Sequence, residues 1–291
     1  ADLADAKSLL KQATSPLGAA YTQHITTATN APWTSAYPAP GKRPGAYMNG
    51  SAYDVHPYVL MNFQGDYESV STYAHEWGHG VHSMLANAAQ PYATADYPIF
   101  TAEVASTTNE ALLIDHMIDN ADSRQEKLFY IGQALESLRG TFFRQAQFAE
   151  FELALHKAAQ AGQSLSGERI STLYKKILDR YYGVADGVTA IDERMAIEWA
   201  YVPHFYYNFY VYQYATSIAA GEYFASRILA GDTDVRDAYL AALSAGGSAS
   251  GYDILKNAGV DLATAAPYNQ LIQRMNELMD QAEDLLDKRQ G

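Results

Sequence analysis

Apolar residues recur at three- and four-residue spacing over most of this chain, which predicts helices rather than strands. Leu3, Leu9, Leu10, Leu17 and Ile25 keep that period loosely across 3–29, with Pro16 marking a break or a fresh helix start. The strongest pattern covers 123–161, where Leu128, Ile131, Leu135, Leu138, Phe142, Phe148, Phe151 and Leu155 fall on one stripe and Gly140 is the expected bend. Further helices are predicted at 167–181, 208–229, 233–243 and 267–288, separated by turns at 246–248 and 257–259. Between 31 and 50, Pro32, Pro38, Pro40 and Pro44 alternate with Gly41, Gly45 and Gly50, which reads as loop. The apolar run Tyr58–Phe63, closed by Pro57 and Gly65, predicts one short strand, either buried or offering its edge to an extended peptide. Asp66 then caps a helix over 67–87, and another helix follows Pro98 to about residue 119. The fold class is therefore mainly α, a multi-helix domain with a short β element ahead of the 67–87 helix.

Composition narrows the chemistry. The 291 residues include no cysteine, so a metal would have to be held by His, Asp or Glu, and thiolate sites are excluded. A net charge of −13 with no basic cluster argues against nucleic acid as a partner. Acids stand near the first residue, at Asp2 and Asp5, where a secretory leader would be basic, and no run reaches the roughly 20 apolar residues of a membrane span. A cytoplasmic protein without a membrane partner is expected. Tyrosine is over-represented, 23 against 10 Phe, which leaves many hydroxyls needing a role.

The chemistry concentrates at His75-Glu76-Trp77-Gly78-His79, an HExxH sequence inside the 67–87 helix. Positions i and i+4 lie about 40° apart on one helix face, so His75 and His79 can reach a single ion. Glu76, about 100° round from His75, is poorly placed to ligate that ion but can reach water beside it. A catalytic zinc site needs a third protein ligand. His82 shares the face, but one helix rarely wraps three side chains round one ion, so His82 is expected behind the ligands, facing substrate or simply packed. Glu103, in the largely uncharged run Phe100–Ser106, is the better candidate, because an unpaired buried carboxylate there would be costly. Glu110, seven residues on, is expected to orient an imidazole through its other N–H.

His75–His82, followed by Phe100–Ser106 and Asn109-Glu110, resembles the thimet-oligopeptidase-like zinc metallopeptidases, and within them the oligoendopeptidase F branch. The resemblance begins at Lys42–Tyr47 and His56–Tyr58 and runs nearly to the C-terminus. It implies a zincin-type catalytic domain holding one Zn²⁺ through His75, His79 and Glu103, with Glu76 as the catalytic base. Family members are roughly twice this length, so residues 1–291 are expected to be the catalytic C-terminal half of a longer oligopeptidase, partnered by a missing N-terminal half.

Residues 201–214 contain six tyrosines. Six phenols would each need a partner if buried, whereas peptide hydrolysis needs neutral donors for the oxygen that becomes negative. In the family a His and tyrosines of the corresponding segment line the cleft. The resemblance carries this role to His204, Tyr207 and Tyr214, with Tyr210 as the rival phenol. The expected activity is hydrolysis of internal bonds in oligopeptides. A zinc carboxypeptidase, or a catalytically silent peptide-binding fragment, are the alternatives.

Overall fold

The computed structural model describes residues 1–287, and the mainly α character expected from the periodicity holds there. Contacts divide the chain into two compact units, one made of residues 1–135 with the described residues from Ser217 onward, the other of residues 136–216. Among the described residues no helix is long and apolar enough to cross a membrane.

In the first unit, α1 (Leu3–Ala13) starts with a reciprocal cap: Asp2 accepts from the Asp5 backbone N–H, and Asp5 accepts from that of Asp2. Pro16 and Gly18 (φ 93°) end it in a 3-10 turn before α2 (Ala19–Asn30), so the predicted 3–29 helix is two helices. A three-stranded sheet follows, β1 (Thr34–Ser35), β2 (Tyr47–Asn49) and β3 (Tyr58–Leu60), in the order β1-β3-β2. β3 is the predicted strand, shortened, although Met61 and Phe63 continue to donate backbone hydrogen bonds to Ser35 and Ala36. It pairs parallel with β1 and antiparallel with β2, so its own edges are used and the exposed sheet edges belong to its neighbours. β1 and β2 fall in the stretch read as loop, because two or three residues among prolines and glycines carry no readable alternation.

Asp66 caps α3 (Tyr67–Ala89) by accepting from the Ser69 N–H and hydroxyl at 2.9 and 2.6 Å. A short α4 (Tyr92–Ala95) leads to Pro98 and α5 (Ile99–Asp119). Tyr73, Trp77 and Val81 of α3 and Ala105 and Leu112 of α5 are all fully buried. The sheet is tied to α3 by His56 stacked on Trp33 at 4.2 Å, with Trp33 tilted against Trp77.

The stripe over 123–161 becomes α6 (Arg124–Leu138) and α7 (Arg144–Gln160), joined through a π-helical turn, Arg139–Phe143, that contains Gly140 at the predicted bend. α8 (Gly167–Tyr181) packs in the second unit, whose core is Phe148, Phe151, Tyr174, Ile177, Leu178 and Val211. The helix expected from 208 starts later, as α9 (Tyr212–Leu229), because 193–207 forms 3-10 turns and Asn208 and Phe209 are left-handed. α10 (Thr233–Ser244), a short α11 (Gly251–Asn257) and α12 (Ala266–Asp287) complete the first unit. The predicted end of the last helix, residue 288, lies outside the described residues.

Candidate metal centre and its neighbours

Close approach of α3 and α5 builds the centre, and Gly78 permits it. A Cβ there would sit 2.6 Å from the Ala105 carbonyl oxygen and 2.8 Å from the Ser106 Cα, which are backbone atoms that cannot swing away. Gly78→Ala is therefore expected to prise the helices apart and lower stability by about 1–3 kcal/mol. Thermal unfolding together with a zinc titration checks this; an unchanged melting temperature would contradict the close fit.

With the helices that near, His75 Nε2, His79 Nε2 and Glu103 Oε2 converge, all within 4.8 Å of one another. The two imidazole nitrogens are 3.2 Å apart, and Glu103 Oε2 lies 3.6 Å from the first and 3.7 Å from the second. Bonds of about 2.0–2.1 Å at a tetrahedral angle would place ligand atoms about 3.4 Å apart, so this donor set fits one zinc-sized ion. Each ligand candidate is held from behind. Glu110 Oε2 lies 3.1 Å from His75 Nδ1, the Ala102 backbone hydrogen-bonds His79, and the Ser106 hydroxyl donates to Glu103 Oε2 at 3.1 Å. Asn109 links the helices by donating to the Ala74 carbonyl while accepting from the Tyr21 hydroxyl at 2.8 Å.

The electrostatics also call for a cation. Glu76, Glu103 and Glu110 surround two imidazoles, and the ion pairs that Glu103 and Glu110 make among the described residues are with these histidines. Burial opposes a charge on His75, but Glu110, Glu103 and Glu76 outweigh it and push its pKa up to about 9. Burial, then repulsion from His75 and His82, holds His79 well below its usual range, which favours its neutral form. Burial raises Glu103, with His75 pulling the other way. Glu76 is pushed up to about 7 by burial, with His75 opposing and Glu103 adding to the rise, and the Met48 backbone hydrogen-bonds its carboxylate. A divalent cation would balance these buried acids.

His82 is completely buried, and its ring stacks on Tyr97 with centroids 3.6 Å apart. Burial depresses its pKa to about 3, so it is neutral. The Tyr97 hydroxyl donates to the His79 carbonyl at 3.3 Å. Both His82 ring nitrogens are buried without a hydrogen-bond partner, so the structure shows the ring packed on Tyr97. Asp115, near the end of α5, pairs with Arg274 of α12.

In the second unit the structure brings His204, Tyr207, Tyr210 and Tyr214 together. The His204 ring lies 5.9, 5.6 and 6.1 Å from the rings of Tyr207, Tyr210 and Tyr214, and the Tyr214 hydroxyl donates to that of Tyr210 at 3.4 Å. This is not a buried aromatic helix, since Tyr206 and Tyr207 are 77% and 60% exposed. The turn beneath the cluster is strained: Asn208 and Phe209 have φ of 50° and 59°, a conformation that costs a non-glycine residue about 1–2 kcal/mol. The buried Glu152 carboxylate offsets that cost by accepting the Phe209 N–H at 2.7 Å, and the His156 ring packs on Phe209. Glu152→Ala should speed hydrogen exchange at the Phe209 amide about tenfold or more, as loss of a charge-assisted bond worth about 1.5–3 kcal/mol implies. Glu152→Gln, which keeps an acceptor oxygen, should restore most of the protection. Equal exchange in all three proteins would remove Glu152 from this role.

Comparison with known proteins gives this geometry a context. Residues 19–274 match the family model described as Peptidase family M3. The chain belongs to peptidase family M3. Among curated relatives of this M3 chain, Oligopeptidase PepF of Bacillus subtilis is 40% identical over 284 residues, 98% of this chain and 42% of the relative. The chromosomal oligoendopeptidase F of Lactococcus lactis is 37% identical over 271 residues, 93% of this chain and 44% of the relative. The crystal structure of oligoendopeptidase-F from Enterococcus faecium superposes with a TM-score of 0.72 at 29% identity, covering 98% of this chain and 44% of that one. The M3 chain thus spans less than half the length of these relatives.

Several residues that shape the candidate metal centre or, in the other unit, the turn at Asn208 and Phe209 carried no sequence signal of their own role. Gly78 was legible only as part of HExxH, and its close approach to Ala105 depends on the partner helix. Met48 lies in a strand too short to read, and Glu152 is a glutamate on a helix whose partner amide is 57 residues away. Asn109 stood beside Glu110 in the motif, and its bridging role needed both Tyr21 and Ala74 in place.

Proposed function

We propose that this chain is the catalytic portion of a zinc metallopeptidase that hydrolyses internal peptide bonds of oligopeptides. The observation that carries the reading is the convergence of His75, His79 and Glu103 on one point, with Glu76 next in sequence to His75. Membership of family M3 and the oligopeptidase names of its relatives support it. A Zn²⁺ ion held by His75 Nε2, His79 Nε2 and Glu103 Oε2 would supply Lewis-acid polarisation of the scissile carbonyl and lower the pKa of water.

The remaining work falls to this chain's side chains. Glu76 takes a proton from the attacking water on a carboxylate oxygen and delivers it to the leaving amine. The Met48 backbone holds that carboxylate in place. Glu110 keeps the His75 proton on Nδ1, which leaves Nε2 to act as a ligand, and the Ala102 backbone serves His79 in the same way. His204, Tyr207 and Tyr214, with Tyr210 as rival, are assigned to hydrogen-bonding the substrate and the oxygen that becomes negative. That assignment rests on the family resemblance and on the exposed phenol cluster within their own unit.

The relatives are more than twice as long, so we assign the rest of the cleft to an N-terminal half, and we place the enzyme in the cytoplasm with neither nucleic acid nor membrane as partner. Metal analysis run with cleavage of a quenched peptide blocked at both ends tests the reading. One zinc per chain with cleavage of an internal bond supports it. Release of C-terminal residues from unblocked peptides alone would instead favour a carboxypeptidase, and peptide binding with zinc but no cleavage would favour a silent module.

A further inference from the structure

Within the first unit lies a cavity of about 460 Å³, in the size range of ligand sites, whose wall is linked to the candidate centre by contacts of its lining residues. One wall residue, Met48, contacts the Glu76 carboxylate through its backbone. Another, Tyr97, donates its hydroxyl to the His79 carbonyl, and a third, Ser83, lies 2.6 Å from that hydroxyl. Met48 and Tyr97 thus touch residues of the candidate centre and also line the cavity, which makes the cavity a candidate seat for a side chain near the scissile bond.

The lining states which side chain suits it. Asp96 is the one charged residue in the wall, and it takes part in none of the ion pairs found among the described residues. Its Oδ1 accepts the Tyr97 N–H at 3.0 Å, which orients the carboxylate. Tyr53 and Tyr92 meet edge to face at 5.6 Å, with the Tyr53 hydroxyl anchored on the Gln90 carbonyl at 2.7 Å and the Tyr92 ring 75% exposed. Phenol faces and a carboxylate together attract a cation, while the Met48 thioether and the ring edges suit an aliphatic stem.

We propose that this cavity is a substrate subsite for a basic side chain, lysine or arginine, built from Asp96, Tyr53, Tyr92 and Met48. The proposal rests on the peptidase reading above and adds a preference to it. The test uses the zinc-loaded chain and end-blocked quenched peptides that carry arginine, norleucine or glutamate at one position at a time. At one position kcat/KM should run arginine, then norleucine, then glutamate, with arginine ahead of norleucine by about tenfold. Asp96→Asn keeps an oxygen for the Tyr97 N–H but removes the charge, and should bring the arginine-to-norleucine ratio to within about twofold; Tyr92→Ala should lower the same ratio. No position favouring arginine, or a parallel loss on all three peptides in Asp96→Asn, overturns the subsite. If zinc is bound and no peptide is cut, the peptidase reading fails instead. The subsite is then judged by the anisotropy of labelled arginine and norleucine peptides: tighter arginine binding that Asp96→Asn abolishes supports it, and equal affinities overturn it.

Discussion

Glu76→Gln should keep one zinc per chain while kcat falls by about 10³-fold, within the 10²–10⁴ range that a positioned general base contributes. The substitution is almost isosteric and retains an oxygen for the Met48 backbone contact, so the buried position stays filled and the fold is unaffected. What disappears is a basic oxygen able to take and return a proton. The expected signature is a drop in kcat with little change in KM, because the group acts on the transition state rather than on ground-state binding. Metal content and single-turnover cleavage of a blocked peptide measure the two halves of this prediction. Normal turnover would end the assignment of Glu76 as base, and loss of zinc would move it among the ligands.

Glu103→Ala should abolish zinc occupancy at micromolar metal. Removing a group that only supports a ligand usually costs 10–100-fold in affinity, and removing a ligand itself should exceed about 100-fold. Glu103 has a second, opposite effect, because in the absence of a cation its buried carboxylate adds to the repulsion between Glu76 and Glu110. The variant should therefore unfold in chelator at nearly the wild-type temperature, yet lose the increment that zinc gives the wild type. Calorimetric titration with zinc and melting curves with and without chelator separate the effects. Full zinc occupancy in an inactive variant would make Glu103 an orienting residue instead.

Much of the candidate centre was legible because its spacing is local. His75 and His79 share a helix face through the 3.6-residue period alone, and Glu103 stood out as an acid in an apolar stretch of the next helix. The first misreadings came where elements are too short for a period to show, at β1 and β2. Others came where a distant partner overrides local preference. The aromatic run 201–214 looked helical from 208, but Asn208 and Phe209 are left-handed, with the Phe209 N–H held by Glu152, and α9 starts at Tyr212. Of the two readings left open for β3, the structure shows the strand paired on both sides, which is a property of the sheet and not of the strand.

The amino-acid sequence by itself determined the helical class, the HExxH face, the absence of thiolate chemistry and the crowding of phenols into one segment. These follow from composition and from contacts within about one helical turn, which depend only on neighbours in the chain. Tertiary structure decided that Gly78 lets α5 approach closely enough for Glu103 to meet both imidazoles, that Glu110 backs His75, that His82 is sealed behind Tyr97, and that Asp96 and two tyrosine rings frame a cavity beside the centre. Each of those depends on packing between residues far apart in sequence, where the distance between two side chains is set by the fit of whole helices and leaves no periodic trace.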